Sequence, residues 1–379
     1  MKINKTYKSI IVCILNGKNL FTCIWCVLIF SIPCHLNAQK DSSSRKHRLL
    51  VFPIIARSIE TNWSFGTAVS STFNLKSPLD SITRTSNLQA IALYSLNKQL
   101  VIAINGSIYF PGEKYILNQQ ISYSYYPDKF WGLGKTTPDS NEESYNYRQF
   151  YVYLHPQRLV GKKLFVGLLY EFQKLWNMRY EPGGLFDKES VIGRNGYIVS
   201  GLGSSFTYDT RNNAFAPDRG IMMQFHFSHF NQIFGSDYNY TNFVIDIRKF
   251  LKVYKRQVLA LQAYGFFNAG KVPLRSLASL GGANSMRGYY DGRYRDRNQG
   301  VLQAEYRIPL FWRFGCVVFS DLGNVGNNLS DVNFQNPKYS YGGGIRIALS
   351  KAERLNLRLD YGIGPGTAKG FYFQLGEAF

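Results

Sequence analysis

The residues with the most chemistry to offer are an arginine and two carboxylates in the last hundred positions. Arg287 lies in Gly281-Gly282-Ala283-Asn284-Ser285-Met286-Arg287-Gly288-Tyr289, Glu305 in Gln303-Ala304-Glu305-Tyr306-Arg307-Ile308-Pro309, and Asp321 in Phe319-Ser320-Asp321-Leu322-Gly323. A guanidinium is a planar fork of donors, so an arginine carried inward on a glycine-flanked loop can satisfy two carboxylates together. Gly288 lets the loop backbone turn sharply beside a wall. The competing reading is a solvated loop whose arginine touches nothing, since surface ion pairs are often worth little.

No catalytic pattern accompanies them. His226 and His229 stand three apart in a strand-like stretch, so they point to opposite faces and cannot share an ion; His47 and His155 add no convincing metal site. Gly134-Lys135-Thr136 has the end of a phosphate loop, but Lys129 stands where its first glycine belongs. No GxSxG elbow occurs. Neither enzyme activity nor a metal or other cofactor is expected.

The elements that must position the arginine and carboxylates are strands. From about residue 48 onward the chain shows period-two alternation broken by turn residues, with almost no helical period. Leu355, Leu357, Leu359, Tyr361 and Ile363 take one face, opposite Asn356, Arg358, Asp360 and Gly362. Leu302, Ala304, Tyr306, Ile308 and Leu310 likewise oppose Gln303, Glu305 and Arg307, which puts Glu305 on the polar side of its strand and Asp321 in the next one. Sixteen candidates follow: 48–57, 61–74, 84–96, 98–110, 114–127, 145–155, 162–176, 196–209, 220–231, 237–250, 256–269, 300–311, 314–325, 339–350, 354–364 and 370–379.

Most of these exceed the average globular strand of about five or six residues. About ten is the length a tilted strand needs to cross a hydrocarbon core. An even number of long strands, each with one apolar and one polar face, predicts an all-β fold: a 16-stranded antiparallel transmembrane β-barrel of the outer membrane. Closure pairs every backbone group, the polar faces line the lumen, and Tyr123, Tyr125, Tyr126, Phe130, Trp131, Trp176, Tyr180, Tyr238 and Tyr240 are expected in the interfacial girdles. With the N-terminus periplasmic, the longest connections, 132–143, 177–195 and 270–299, are extracellular.

Composition agrees. The 379 residues carry 44 Lys and Arg against 24 Asp and Glu, a net charge of +20, and 16% are aromatic. The mean hydropathy of -0.19 excludes a protein built of several apolar helical spans. Residues 1–38 read as a signal peptide: Lys2, Lys5, Lys8 and Lys18, an apolar stretch from Leu20 to Ile32, and a cleavage point after Ala38. Removing it takes four of the five cysteines, leaving Cys316, and residues 39–47 form a short periplasmic lead before a barrel over 48–379. The basic excess is read as serving phosphates of outer-leaflet lipopolysaccharide or biasing a pore toward anions. Nucleic acid is not an expected partner, because the charge is spread along an exported chain with no recognisable binding module.

The ordered motifs, together with Tyr208-Asp209-Thr210-Arg211 through Pro217 and Gly220, and Phe130-Trp131-Gly132-Leu133-Gly134, resemble the barrel domain of the BamA/TamA outer-membrane assembly factors, the bacterial surface antigen domain, in its Bacteroidetes-type form. The resemblance implies that Arg287, with Gly288 and Tyr289, anchors a loop in the lumen against Glu305, Asp321 and Gly323. It also implies a terminal-strand signal at Phe371, Phe373, Gly376 and Phe379, from which Glu377 departs because its position should face lipid. The family's periplasmic POTRA modules have no room in residues 39–47, so a POTRA-less member is expected, taking part in outer-membrane protein assembly or translocation, with client barrels or a separate periplasmic partner. The rival reading is a passive or gated channel with a loop-plugged lumen; a third is a purely structural surface barrel.

Overall fold

The computed structural model describes residues 48–75, 80, 83–333, 335–351 and 354–379. The signal peptide and the lead at 39–47 lie outside them. The strands are β1 (Arg48–Ser58), β2 (Asn62–Phe73), β3 (Ser86–Ser95), β4 (Leu100–Tyr109), β5 (Tyr115–Phe130), β6 (Glu143–Gly161), β7 (Leu164–Arg179), β8 (Tyr197–Asp209), β9 (Gly220–Phe230), β10 (Tyr240–Lys252), β11 (Val258–Gly270), β12 (Ala278–Leu280), β13 (Tyr294–Asp296), β14 (Asn298–Pro309), β15 (Phe314–Gly326), β16 (Lys338–Ser350), β17 (Leu355–Ile363) and β18 (Lys369–Leu375). All but β12 and β13 close into one antiparallel barrel of sixteen strands; β12 and β13 form a small ribbon within the connection between β11 and β14.

The alternation works as read. Leu168, Leu202, Phe206, Phe225, Phe227, Leu302, Val318 and Ile345 are exposed on the outer face, while Gln173, Ser205, Gln262, Gln303, Glu305, Arg346 and Arg358 are buried within. No helix among the described residues is long and apolar enough to cross a membrane; the strands do that.

Three readings need correction. The candidate at 114–127 stops at Pro127 and that at 145–155 just before Pro156, yet β5 and β6 run through both prolines. Pro156 keeps its register partner Leu117 on β5, and the absent N–H is felt on the other side, where pairing with β7 skips from Leu154 to Gln157. The aromatic girdle is also smaller than expected. Phe130, Trp131 and Tyr240 are buried, and Phe130 and Tyr240 join Phe186, Tyr197 and Leu274 in a cap at the end of the barrel that carries the long connections. Tyr123 and Trp176 stay in contact with each other, rings 6.1 Å apart.

The third correction concerns the end of the chain. The last strand was expected to run to Phe379, but β18 stops at Leu375 and Gly376 turns at φ 86°. The tail then leaves the wall for the interior. Phe379 packs with Phe250, Val258 and Ala260, and Glu377, far from facing lipid, accepts from Arg346 at 2.7 Å. A residue expected to face lipid near the interface is therefore a partnered luminal carboxylate.

A closed ladder of this kind resists detergent until it is heated. Unboiled protein is expected to migrate faster than boiled protein on a detergent gel and to show a β-type circular dichroism spectrum; a helical spectrum would contradict the barrel.

Candidate functional site: the lumen loop and its anchor

The connection from β11 to β14, residues 271–297, folds back into the barrel. Its apolar side chains Leu280, Met286, Tyr289 and Tyr294 pack with Val301 of β14 and Val325 of β15. Wall glycines make the room. A Cβ at Gly323 would lie 3.1 Å from Leu280, one at Gly364 would lie 2.9 Å from the Tyr289 ring, and one at Gly362 would clash with the Arg287 carbonyl. Gly288 itself sits at φ 113° against Gly362, where a side chain would be both strained and obstructed, and its N–H donates to the Tyr372 hydroxyl at 2.9 Å.

This approach delivers Arg287, fully buried, to three carboxylates on three strands. Nη1 lies 2.8 Å from Glu305 of β14 and 2.8 Å from Asp360 of β17, and Nε lies 4.0 Å from Asp321 of β15. The Arg287 backbone N–H also donates to Asp321 at 3.3 Å. Its guanidinium stacks over Phe319, 3.4 Å from the ring centroid.

Around that centre the charges alternate. Arg307 holds Glu305 at 2.7 Å, while Arg346 reaches Asp360 at 2.5 Å, Glu377 at 2.7 Å and Glu305 at 3.5 Å. Arg358 stands 3.7 Å from Asp360 and donates to Asn284 of the loop and Gln374 of β18. Four arginines and four carboxylates thus form one buried cluster. Such a cluster is held by geometry and mutual compensation, because each charge alone would be costly at this depth.

The sequence reading names Arg287, Glu305 and Asp321, and the fold brings them together with Gly288, Tyr289 and Gly323. It misses Asp360, Glu377, Arg307, Arg346 and Arg358 as members. Parity on β17 had already put Arg358 and Asp360 on the polar face; what sequence lacked was the barrel closure that carries β17 to within reach of the loop. Of the terminal-strand residues, Phe371 and Phe373 lie on the outward parity of β18, Phe371 beneath the Arg57 guanidinium at 5.8 Å, whereas Phe379 is inside.

The outer half of the loop has its own ties. Asp128 accepts from Tyr290 at 3.0 Å and pairs with Arg275 at 3.3 Å and Arg295 at 3.4 Å, and Arg293 pairs with Asp139 at 2.6 Å. Glu60, in the turn between β1 and β2, accepts from the Asp291 N–H at 2.8 Å; burial pushes its carboxyl up to about 7. Among the described residues no group of His, Cys, Asp and Glu is arranged to hold a metal; His155 and His226 are ring neighbours at 5.3 Å and His229 bonds Thr241.

With the loop seated, the lumen retains separate spaces, including a polar cavity of about 510 Å³ lined in part by Glu171, Asp246 and Gln303 and one of about 470 Å³ near Arg84 and Asp209. Conductance in planar bilayers is therefore expected to be small and intermittent, and deletion of 283–297 to increase it several-fold. A large, steady conductance from the intact chain would mean that the loop does not occlude the lumen.

A closed sixteen-strand barrel with an inward loop tied to its wall by a buried arginine defines a class, the loop-plugged β-barrels of the outer membrane. Residues 62–379 match the Omp85 superfamily domain, and the chain belongs to that superfamily. Similar solved structures include BamA from Haemophilus ducreyi lacking POTRA domains 1–3 (14% identity, 88% of this chain and 70% of that one, TM-score 0.56). Two others are CdiB from Acinetobacter baumannii (11%, 88% and 65%, 0.54) and CdiB from Escherichia coli (11%, 89% and 68%, 0.59). The chain thus spans about two thirds of the length of these structures, and at such identities the likeness speaks for the fold. A comparison with curated protein sequences found no match.

Proposed function

We propose that this barrel acts in the outer membrane to insert or translocate polypeptides, through a wall that opens between its first and last strands. The observation that carries this reading is the seam. β1 and β18 share a single register pair, Arg57 with Phe373, whereas the other barrel interfaces pair seven to sixteen residues. The inward turn at Gly376 removes the rest of β18, so most of β1 has one neighbour instead of two. Unpaired backbone groups at membrane depth are costly, which makes this edge the place where an added strand would gain most.

Signal-peptide export, client barrels and a separate periplasmic partner belong to the same proposal. The plugged lumen favours, as a second reading, a gated channel, in which the loop is the gate and the seam has no role. Reconstitution into liposomes, scoring insertion of a substrate barrel and ion conductance in parallel, separates the two. Insertion without appreciable conductance supports the proposal; conductance without insertion supports the channel.

A further inference from the structure

The charge of this chain is not where its composition alone would place it. Counted over the described residues between barrel strands, the extracellular connections carry ten Lys and Arg and ten Asp and Glu. The periplasmic connections carry eleven Lys and Arg against three Asp and Glu. Those three are already engaged: Asp80 accepts from Thr83 and Gly112, Glu113 pairs with Arg84, and Asp218 pairs with Arg354. Exposed cations such as Lys114, Lys162, Lys163, Arg219, Lys255 and Arg256 have no carboxylate partner among the described residues. Among the connections the basic excess thus lies in a collar at the rim where β1 begins and β18 ends, and the connections at the other rim are charge-balanced.

On one arc of the collar the cations surround an opening. A cavity of about 420 Å³ at the mouth of the barrel is lined by Lys252 at the end of β10 and by Arg256, Arg313, Lys351 and Arg354 from the turns after β10, β14 and β16. The carboxylates that share it, Asp218 and Glu377, are held by Arg354 and Arg346. Beside it the turns expose apolar rings, with Phe311 70% and Trp312 71% accessible.

We propose that this arc binds the headgroup phosphate of an anionic phospholipid, with Phe311 and Trp312 against the upper acyl chains. Two features favour lipid over an acidic protein. The turns from β6, β10 and β14 are two to five residues long, so their cations stay at the strand ends, at headgroup depth, and do not project into the periplasm. The cations also occur on turn after turn around the rim instead of forming one patch, which is how a bilayer surface meets a barrel. Exposed aromatic rings next to cations are the interfacial pairing expected at that depth.

The test uses the full chain in vesicles of phosphatidylcholine with a minor fraction of phosphatidylglycerol, with bromine placed either on the phosphatidylglycerol or on an equal amount of phosphatidylcholine. Quenching of Trp312 is read by difference from Trp312→Phe. The expected result is roughly fivefold or greater enrichment of the brominated anionic lipid beside Trp312. It should fall toward parity in high salt, which leaves the fold unaltered, and in Lys252→Gln/Arg256→Gln/Lys351→Gln, but not in Lys271→Gln on the opposite side. Equal quenching by the two lipids overturns the proposal. So does loss of selectivity to excess inorganic phosphate at matched ionic strength, which would assign the site to the free anion. Indifference to lipid charge, with shielding of the rim lysines from amine labelling only by periplasmic extract, would assign the collar to an acidic protein and overturn it equally.

Discussion

Substitution of Arg287 by Ala is expected to destabilise the barrel by about 3–5 kcal/mol, the range for removing one partner of a buried ion pair, and to open the lumen loop to protease. The three carboxylates around it do not suffer alike. Glu305 keeps Arg307 at 2.7 Å and Arg346 at 3.5 Å, and Asp360 keeps Arg346 at 2.5 Å and Arg358 at 3.7 Å. Asp321 has no other cation among the described residues; the Ser340 hydroxyl at 3.3 Å and the backbone N–H of residue 287 are its remaining donors there. Arg287→Ala/Asp321→Asn is therefore expected to recover part of the lost stability, whereas Arg287→Ala/Asp360→Asn, which leaves Arg346 and Arg358 short of a carboxylate, is not. Arg287→Lys should rescue weakly, since a point charge cannot reproduce the fork or its stacking on Phe319. Thermal midpoints measured across this set check the scheme. Unchanged melting and protease resistance in Arg287→Ala would show that the loop is held by its apolar packing alone.

A disulfide across the seam is expected to abolish activity completely. Arg57 and Phe373 are direct register partners, and opposite residues of an antiparallel pair lie within the Cα separation that a disulfide accepts. Arg57→Cys/Phe373→Cys therefore forms a covalent staple at the one pair that closes the barrel. Cys316, on the outward parity of β15, is best replaced by Ser in the same protein so that it does not compete with the staple. Under oxidising conditions substrate-barrel insertion should fall to background and return on addition of reductant. A conducting channel would keep its conductance in both states. Full insertion activity in the oxidised protein would remove lateral opening from consideration, because the staple joins the pair at which the wall would have to part.

The sequence of this protein by itself determined its architecture. Period-two alternation is a local property: each residue's face is set by its neighbours in the strand, so lipid-facing Leu302, Tyr306 and Leu359 and luminal Glu305, Arg358 and Asp360 are legible without the fold. Strand length and number then leave few ways to satisfy the backbone, and closure is the one available in a bilayer. Motif spacing was informative for the same reason, since Glu305 and Asp321 lie on strands adjacent in sequence and therefore adjacent in space.

The tertiary structure decided what depends on residues far apart in the chain. Asp360 reaches Arg287 across 73 positions, and Glu377 meets Arg346 only because a single left-handed glycine turns the tail inward where the alternation of a continuing strand would have sent it to lipid. Phe130 and Tyr240 have the composition of girdle residues but join a cap built by three separate loops. The net charge of the chain is a sum without direction, and only the up-and-down order of the strands sorts the charge of its connections into one balanced rim and one basic rim. Parity is written in neighbouring residues; the weakness of the seam, the reach of the anchor and the side on which charge accumulates are set by closure, which joins the two ends of the sequence.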